Sequence, residues 1–117
     1  MGQKQLLGKY GEDVAAKFLQ DRGYLIIDRN WRCSIGEIDL VAKYKSRLVF
    51  VEVKTRNGTG YGHPFEAITN SKVLRMRKLV SHWCVQNGAL GSEVRLDAIA
   101  VLVRGGRVGI EHLKQVF

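Results

Sequence analysis

The chain has 117 residues, 45% of them hydrophobic and 26% charged, with a formal net charge of +8. That describes one small domain with a single core of two or three layers; it excludes a disordered chain and, with apolar runs this short, a helical membrane span. The 19 Lys and Arg against 11 Asp and Glu make a substantial positive field that points to a polyanion, nucleic acid ahead of an acidic membrane surface, against the plainer reading of a surface that only keeps the protein in solution.

The first residues mix acids and bases and contain no run that reads as a signal peptide. Leu6 stands where a myristoylation signal on Gly2 would want Ser or Thr. The expected place is the cytoplasm. Cys33 and Cys84 lack any C-x-x-C spacing and read as small apolar side chains rather than a disulfide or a zinc site.

In chain order, Gln3 to Asp21 predicts a helix with Leu7, Tyr10, Val14, Phe18 and Leu19 as its apolar stripe, stopped by Gly23. YLIIDRNWR predicts a first strand ending near Asn30. GEIDLVAKY and RLVFVEVKT predict a second and third strand joined as a hairpin through KSR. RNGTGYGHP, with the only proline, is a loop. Asn70 or Ser71 is the expected cap of a second helix that runs to about Asn87, with Gly88 just past its end. Val73, Met76, Val80, Trp83 and Cys84 form its stripe. EVRLDAIAVLV predicts a fourth strand and VGIEHLKQV a short fifth. The three-strand meander is antiparallel, and the strand after the second helix can cross over to lie parallel to one of its members. The expected architecture is a mixed sheet with a helix packed on each side.

The third strand carries the functional signal. Leu48, Phe50, Glu52 and Lys54 alternate onto one face, and Val49, Val51 and Val53 onto the other. One face therefore starts apolar and turns charged toward the tip, as a central strand does when its end opens into a cleft. In the second strand Glu37 and Asp39 are expected to share one face, Ile38 and Leu40 the other. If the charged faces coincide, Asp39 and Glu52 lie close and repel, unless a cation compensates. Mg²⁺ suits one or two carboxylates completed by water and phosphate oxygens, and Lys54 could orient a water or stabilise developing negative charge. Glu12, on a flank of the first helix that could face the sheet, would be costly there unless paired or metal-linked. The plain alternative is a solvated Glu52–Lys54 ion pair worth little.

Among the basic residues, Lys72 and Arg75 share a face of the second helix and could reach phosphates, whereas Arg77 and Lys78 read as solvated. Tyr61 or His63 in the glycine-rich loop could touch a nucleic acid strand. His63 and His82 lack ligand-like spacing. Trp31 and Trp83 read as core, and Asp97 as a structural acid paired to Arg95 or a supporting group near the site.

GEIDLVAKYKSRLVFVEVKTR resembles the metal-dependent nuclease superfamily named for its PD-(D/E)XK motif, and within it the bacterial YraN-like family of predicted endonucleases. The likeness covers nearly the whole chain, with GEDVAAKFL, NWRC, GEIDL, VFVEVKTR and RLDAIAV. It implies a restriction-endonuclease-like, resolvase-like three-layer α/β fold, as in Holliday-junction resolvases, with a central mixed β-sheet flanked by helices. The implied function is Mg²⁺- or Mn²⁺-dependent phosphodiester hydrolysis on DNA, branched DNA among the candidates, by a protein that relatives suggest is a two-fold dimer. By position, Asp39 looks like the motif's aspartate, Glu52 like its acidic metal ligand and Lys54 like its lysine. Glu12 looks like the helical glutamate that resolvase-like members add, and the Val53 carbonyl falls where such enzymes ligate metal. Lys54, Arg56, Lys72 and Arg75 are the expected nucleic-acid contacts. Ile38 stands where the motif's proline would, a replacement common in resolvase-like relatives, and Glu37 belongs to the G-E-I-D run. The competing readings are a nuclease-fold binding module without turnover and a protein-interaction domain.

Overall fold

The alternation of Val with larger apolar residues in the central strands needs cover on both faces, and two amphipathic helices supply it. In the computed structural model, which describes residues 2–58 and 62–116, the order is α1 (Gln3–Asp21), β1 (Leu25–Cys33), β2 (Gly36–Tyr44), β3 (Arg47–Asn57), a 3₁₀ turn (Pro64–Ala67), α2 (Asn70–Gln86), β4 (Val94–Arg104) and β5 (Arg107–Leu113). The five strands form one sheet in the order β1-β2-β3-β4-β5. All neighbours are antiparallel except β3 and β4, which run parallel from Leu48↔Val94 to Asn57↔Val103. The parallel pair requires a crossover, and α2 is that crossover. The expected three-layer α/β architecture is the observed one, and none of the described helices is long and apolar enough to cross a membrane.

The third strand's two faces feed two cores, as its alternation predicts. Val49, Val51 and Val53 pack with Leu40, Ala42, Ile99 and Val101 under α1. Leu48 and Phe50 pack with Met76, Leu79, Val80 and Trp83 of α2, the Phe50 and Trp83 rings meeting edge to face at 5.4 Å.

Four local expectations need correction. α1 buries Gly11, Ala15, Ala16 and Leu19, whereas Tyr10 is exposed and Val14 and Phe18 are only half-buried. At Gly11 the helix lies too close to the sheet for a side chain, although Leu19 further along is fully buried: a Cβ on Gly11 would collide with Thr55 Oγ1 and stand 2.9 Å from Thr55 Cβ. Gly11→Ala should therefore cost about 2–3 kcal/mol in urea unfolding by overpacking, although alanine is the better helix former by about 1 kcal/mol; an unchanged midpoint would refute the close approach. The cap of α2 is Thr69, whose Oγ1 accepts the Lys72 N–H at 3.3 Å, not Asn70 or Ser71. β1 continues through Asn30 to Cys33, although Asn30 takes a left-handed conformation (φ 53°) that asparagine tolerates; the register with β2 is the same on both sides of it and shifts only between Ile26 and Asp28. Finally, Ile38 packs on the α2 side and Leu40 on the α1 side. Strict alternation fails at Asp39, across from Asn30.

Candidate functional site

β2 and β3 separate where Asp39 begins. Their registered pairs end at Leu40↔Val51, while β3 goes on pairing with β4 as far as Asn57. The backbone donor left over at Val53 is satisfied by a side chain: Asp39 Oδ2 accepts the Val53 N–H at 2.7 Å. In a strand the N–H and C=O of one residue project to the same edge, so the Val53 carbonyl faces the same gap as Asp39.

The gap opens into a cleft between the sheet and α2. Asp39, Glu52 and Lys54 line it from the strands, Lys72 and Arg75 from the first turns of α2. Its floor is apolar, made by Met76 and Leu79, with Ile68 on one wall. Glu52 Oε1 holds Lys54 Nζ at 3.1 Å. Lys72 and Arg75 make no ion pair with a carboxylate among the described residues. The positive charge of Lys54, then burial, lowers the Lys72 pKa.

Asp39 is the electrostatically incomplete member. It is 8% exposed. Burial, then the negative charge of Glu52, pushes its pKa from 3.8 up to about 8, against the opposing Val53 hydrogen bond; Glu12 and Glu37 add to the rise. Positive charge entering the gap would oppose that rise and favour the carboxylate. Among the described residues no three His, Cys, Asp or Glu side chains come close enough to hold an ion by themselves. Two carboxylates and one backbone carbonyl leave the remaining positions to water or phosphate. That donor set fits Mg²⁺ or Mn²⁺ and not a closed zinc or calcium cage.

The sequence comparisons agree on one family. The family model described as "Uncharacterised protein family UPF0102" matches residues 11–101. The UPF0102 proteins of Beutenbergia cavernae and Nocardia farcinica are each 47% identical, over 99% and 100% of this chain and 99% and 93% of their own lengths. That of Renibacterium salmoninarum is 50% identical over 97% of this chain and 98% of its own. The chain belongs to the UPF0102 family. The matched segment, residues 11–101, holds every element that lines the cleft.

In this UPF0102 protein, Asp39, Glu52, Lys54, Lys72 and Arg75 share one cleft, and the Val53 carbonyl faces it. Glu12 does not line that cleft. It borders a neighbouring polar cleft with Lys9, Arg29, Asn30 and Arg32, and Glu37 lies on the boundary of both. Burial raises the Glu12 pKa, against a hydrogen bond to the Asn30 side chain. Arg56, one strand period past Lys54, also stays outside the cleft; its Nη1 meets the Thr55 carbonyl at 3.4 Å and its Nε is buried with no partner among the described residues. Tyr61 lies outside the described residues. His63 is held by Glu111 at 2.6 Å and caps the 3₁₀ turn by accepting the Phe65 N–H. Trp83 is core, with its indole N–H on Asp28, and Trp31 is half-buried, with its indole N–H on Gln86.

Sequence reasoning missed Asn30, Ile68, Leu79 and Gly36. Gly36 opens β2 at φ 152° and lines the cleft, where a Cβ would meet Leu79 at 3.4 Å. The signal for Asn30 was its residue type, since asparagine inside a strand commonly marks a positive φ. Ile68, between the 3₁₀ turn and α2, carried no periodic signal.

Proposed function

We propose that this protein is a metal-dependent endonuclease of the PD-(D/E)XK type acting on DNA. The observation that carries the reading is the placement of Asp39: a buried carboxyl beside Glu52, fixed by the Val53 N–H, in a cleft rimmed by Lys54, Lys72 and Arg75. Burial and a neighbouring like charge that push a carboxyl's pKa up inside a cleft mark a functional-site candidate, and both act on Asp39.

Asp39, Glu52 and the Val53 carbonyl would hold Mg²⁺ or Mn²⁺, which would supply the Lewis acidity that activates a water and polarises the scissile phosphate. The chain's own residues do the rest. The Val53 N–H fixes Asp39 in one orientation. Lys54, kept by Glu52, places one ammonium beside the acids and neutralises negative charge as it develops. Lys72 and Arg75 take non-bridging phosphate oxygens, Arg75 with a planar fork suited to two of them.

A second reading, a nucleic-acid-binding module without turnover, is favoured by the closed Glu52–Lys54 ion pair and the lack of a three-acid group among the described residues. Cleavage of a labelled panel (four-way junction, flap, duplex, single strand) with Mg²⁺, Mn²⁺ or EDTA separates the two. We expect metal-dependent cutting that falls at least about 10³-fold in Glu52→Ala. Binding by both proteins with no cutting by either would establish the module instead.

A further inference from the structure

We infer that the cleft takes an unpaired nucleotide, base and phosphate together, so that the substrate is a strand with an unstacked position and not an intact duplex. The inference rests on reading the cleft as a phosphodiester site and specifies what enters it.

The cleft is divided by chemistry. Its acids and cations lie on the strand tips and on the exposed rim of α2, whereas its floor is Met76 and Leu79, each almost fully buried, with half-buried Ile68 beside them. A duplex laid across such a mouth offers sugar and phosphate, which the rim can bind, and nothing flat or apolar to reach the floor. A nucleobase turned out of the stack does offer that, and sequence-tolerant single-strand sites bind bases through their faces. The volume, about 260 Å³, suits one nucleobase with its sugar. Lys72 and Arg75, which make no ion pair with a carboxylate among the described residues, line the rim where the phosphate of the entering nucleotide would remain. Gly36 lines the cleft on the β2 side at a φ of 152° that favours glycine. Taking a base from an intact helix costs a few kcal/mol in lost stacking and pairing, a cost that is least where the base is already unpaired.

The test is equilibrium binding in EDTA, by fluorescence anisotropy, of a perfect duplex, the same duplex with one bulged 2-aminopurine nucleotide, and the single strand. Wild type should bind the bulged DNA about tenfold or more tighter than the duplex, with a change in 2-aminopurine emission on binding. Ile68→Trp, which fills the cleft, should weaken binding of the bulged DNA toward that of the duplex; Ile68→Ala should keep the wild-type order. The wild-type ratio decides the matter even if Ile68→Trp fails to fold. Equal affinities for duplex and bulge overturn the inference. The same DNAs with Mg²⁺ then separate it from the nuclease reading. Preferential binding without any cutting keeps the inference and removes the enzyme; equal cutting and equal binding of all three keeps the enzyme and removes the inference.

Discussion

Asp39→Asn should abolish cleavage, by about 10³-fold or more, and at the same time make the protein more stable than wild type in EDTA at pH 8. The two effects have one cause. Asparagine keeps the acceptor for the Val53 N–H and removes the carboxyl that burial and Glu52 oppose. The folded pKa of about 8 lies above the ordinary 3.8, so between these values the folded state holds a proton that the unfolded state has released. Stability from this group is present at low pH and is lost as pH rises from about 4 to about 8. The variant has no such proton, so its advantage grows across that window and is largest at pH 8, read as a Tm gap of several degrees or more. Mg²⁺ should reverse the order by stabilising wild type and not the variant, since the ion binds the deprotonated carboxylate. Thermal melts of both proteins between pH 5 and 8.5, in EDTA and in Mg²⁺, read this directly. A constant difference across the pH series would show that Asp39 is ionised in the free protein and remove the electrostatic argument for the cleft.

The second large effect lies on the opposite face of the sheet. Asp97 is fully buried, yet every group around it is paired. It accepts from Arg95 Nε at 2.9 Å and Nη2 at 2.8 Å, meets His112 Nε2 at 2.7 Å, and accepts the Gln115 N–H at 3.0 Å. Arg95 Nη2 also donates to the Tyr24 hydroxyl at 2.7 Å. Although burial works against its charge, the hydrogen bonds from His112, Arg95 and the Gln115 N–H hold the Asp97 carboxyl below its usual range. Asp97→Ala strips Arg95 of its counter-charge inside the core and should cost about 3–5 kcal/mol in urea unfolding. Arg95→Met with Asp97→Leu, which removes both charges, should recover much of that loss. The core under α1 separates Asp97 from the cleft, so the single variant should cleave normally wherever it remains folded. A loss of activity without a loss of stability would instead make Asp97 part of the catalytic machinery.

The hairpin of β2 and β3, the crossover helix and the split of β3 between two cores were legible because strict alternation and a single helix period encode them. Asp39, Glu52 and Lys54 could be found for the same reason: they interrupt that alternation at strand tips. The Arg95–Asp97 pair was legible from spacing, though its partners Tyr24, His112 and Gln115, 71, 15 and 18 residues from the member each one touches, were not. α1 misled because Tyr10, Val14 and Phe18 mark the flank of the helix, while its contact face joins Gly11, Ala15 and Ala16, small where the helix nears Thr55, to Leu19, the one member of the expected stripe that is fully buried. Glu12 stands close enough to raise the Asp39 pKa, yet it borders the neighbouring cleft. The helix flank that could face the sheet brings it to the Asn30 side chain, with Glu37 shared between that cleft and the one holding Glu52.

The bond from the Val53 N–H to Asp39 also sets a length requirement. One carboxylate closes the ladder between two strands and faces the gap where an ion would sit, so its reach from the backbone is fixed from both sides. Glutamate would carry the same charge one methylene farther, and either β2 would have to draw back from β3 or the Val53 amide would lose its acceptor. At position 39 the sheet thus selects between two acids that are chemically near-identical, and it does so by distance alone.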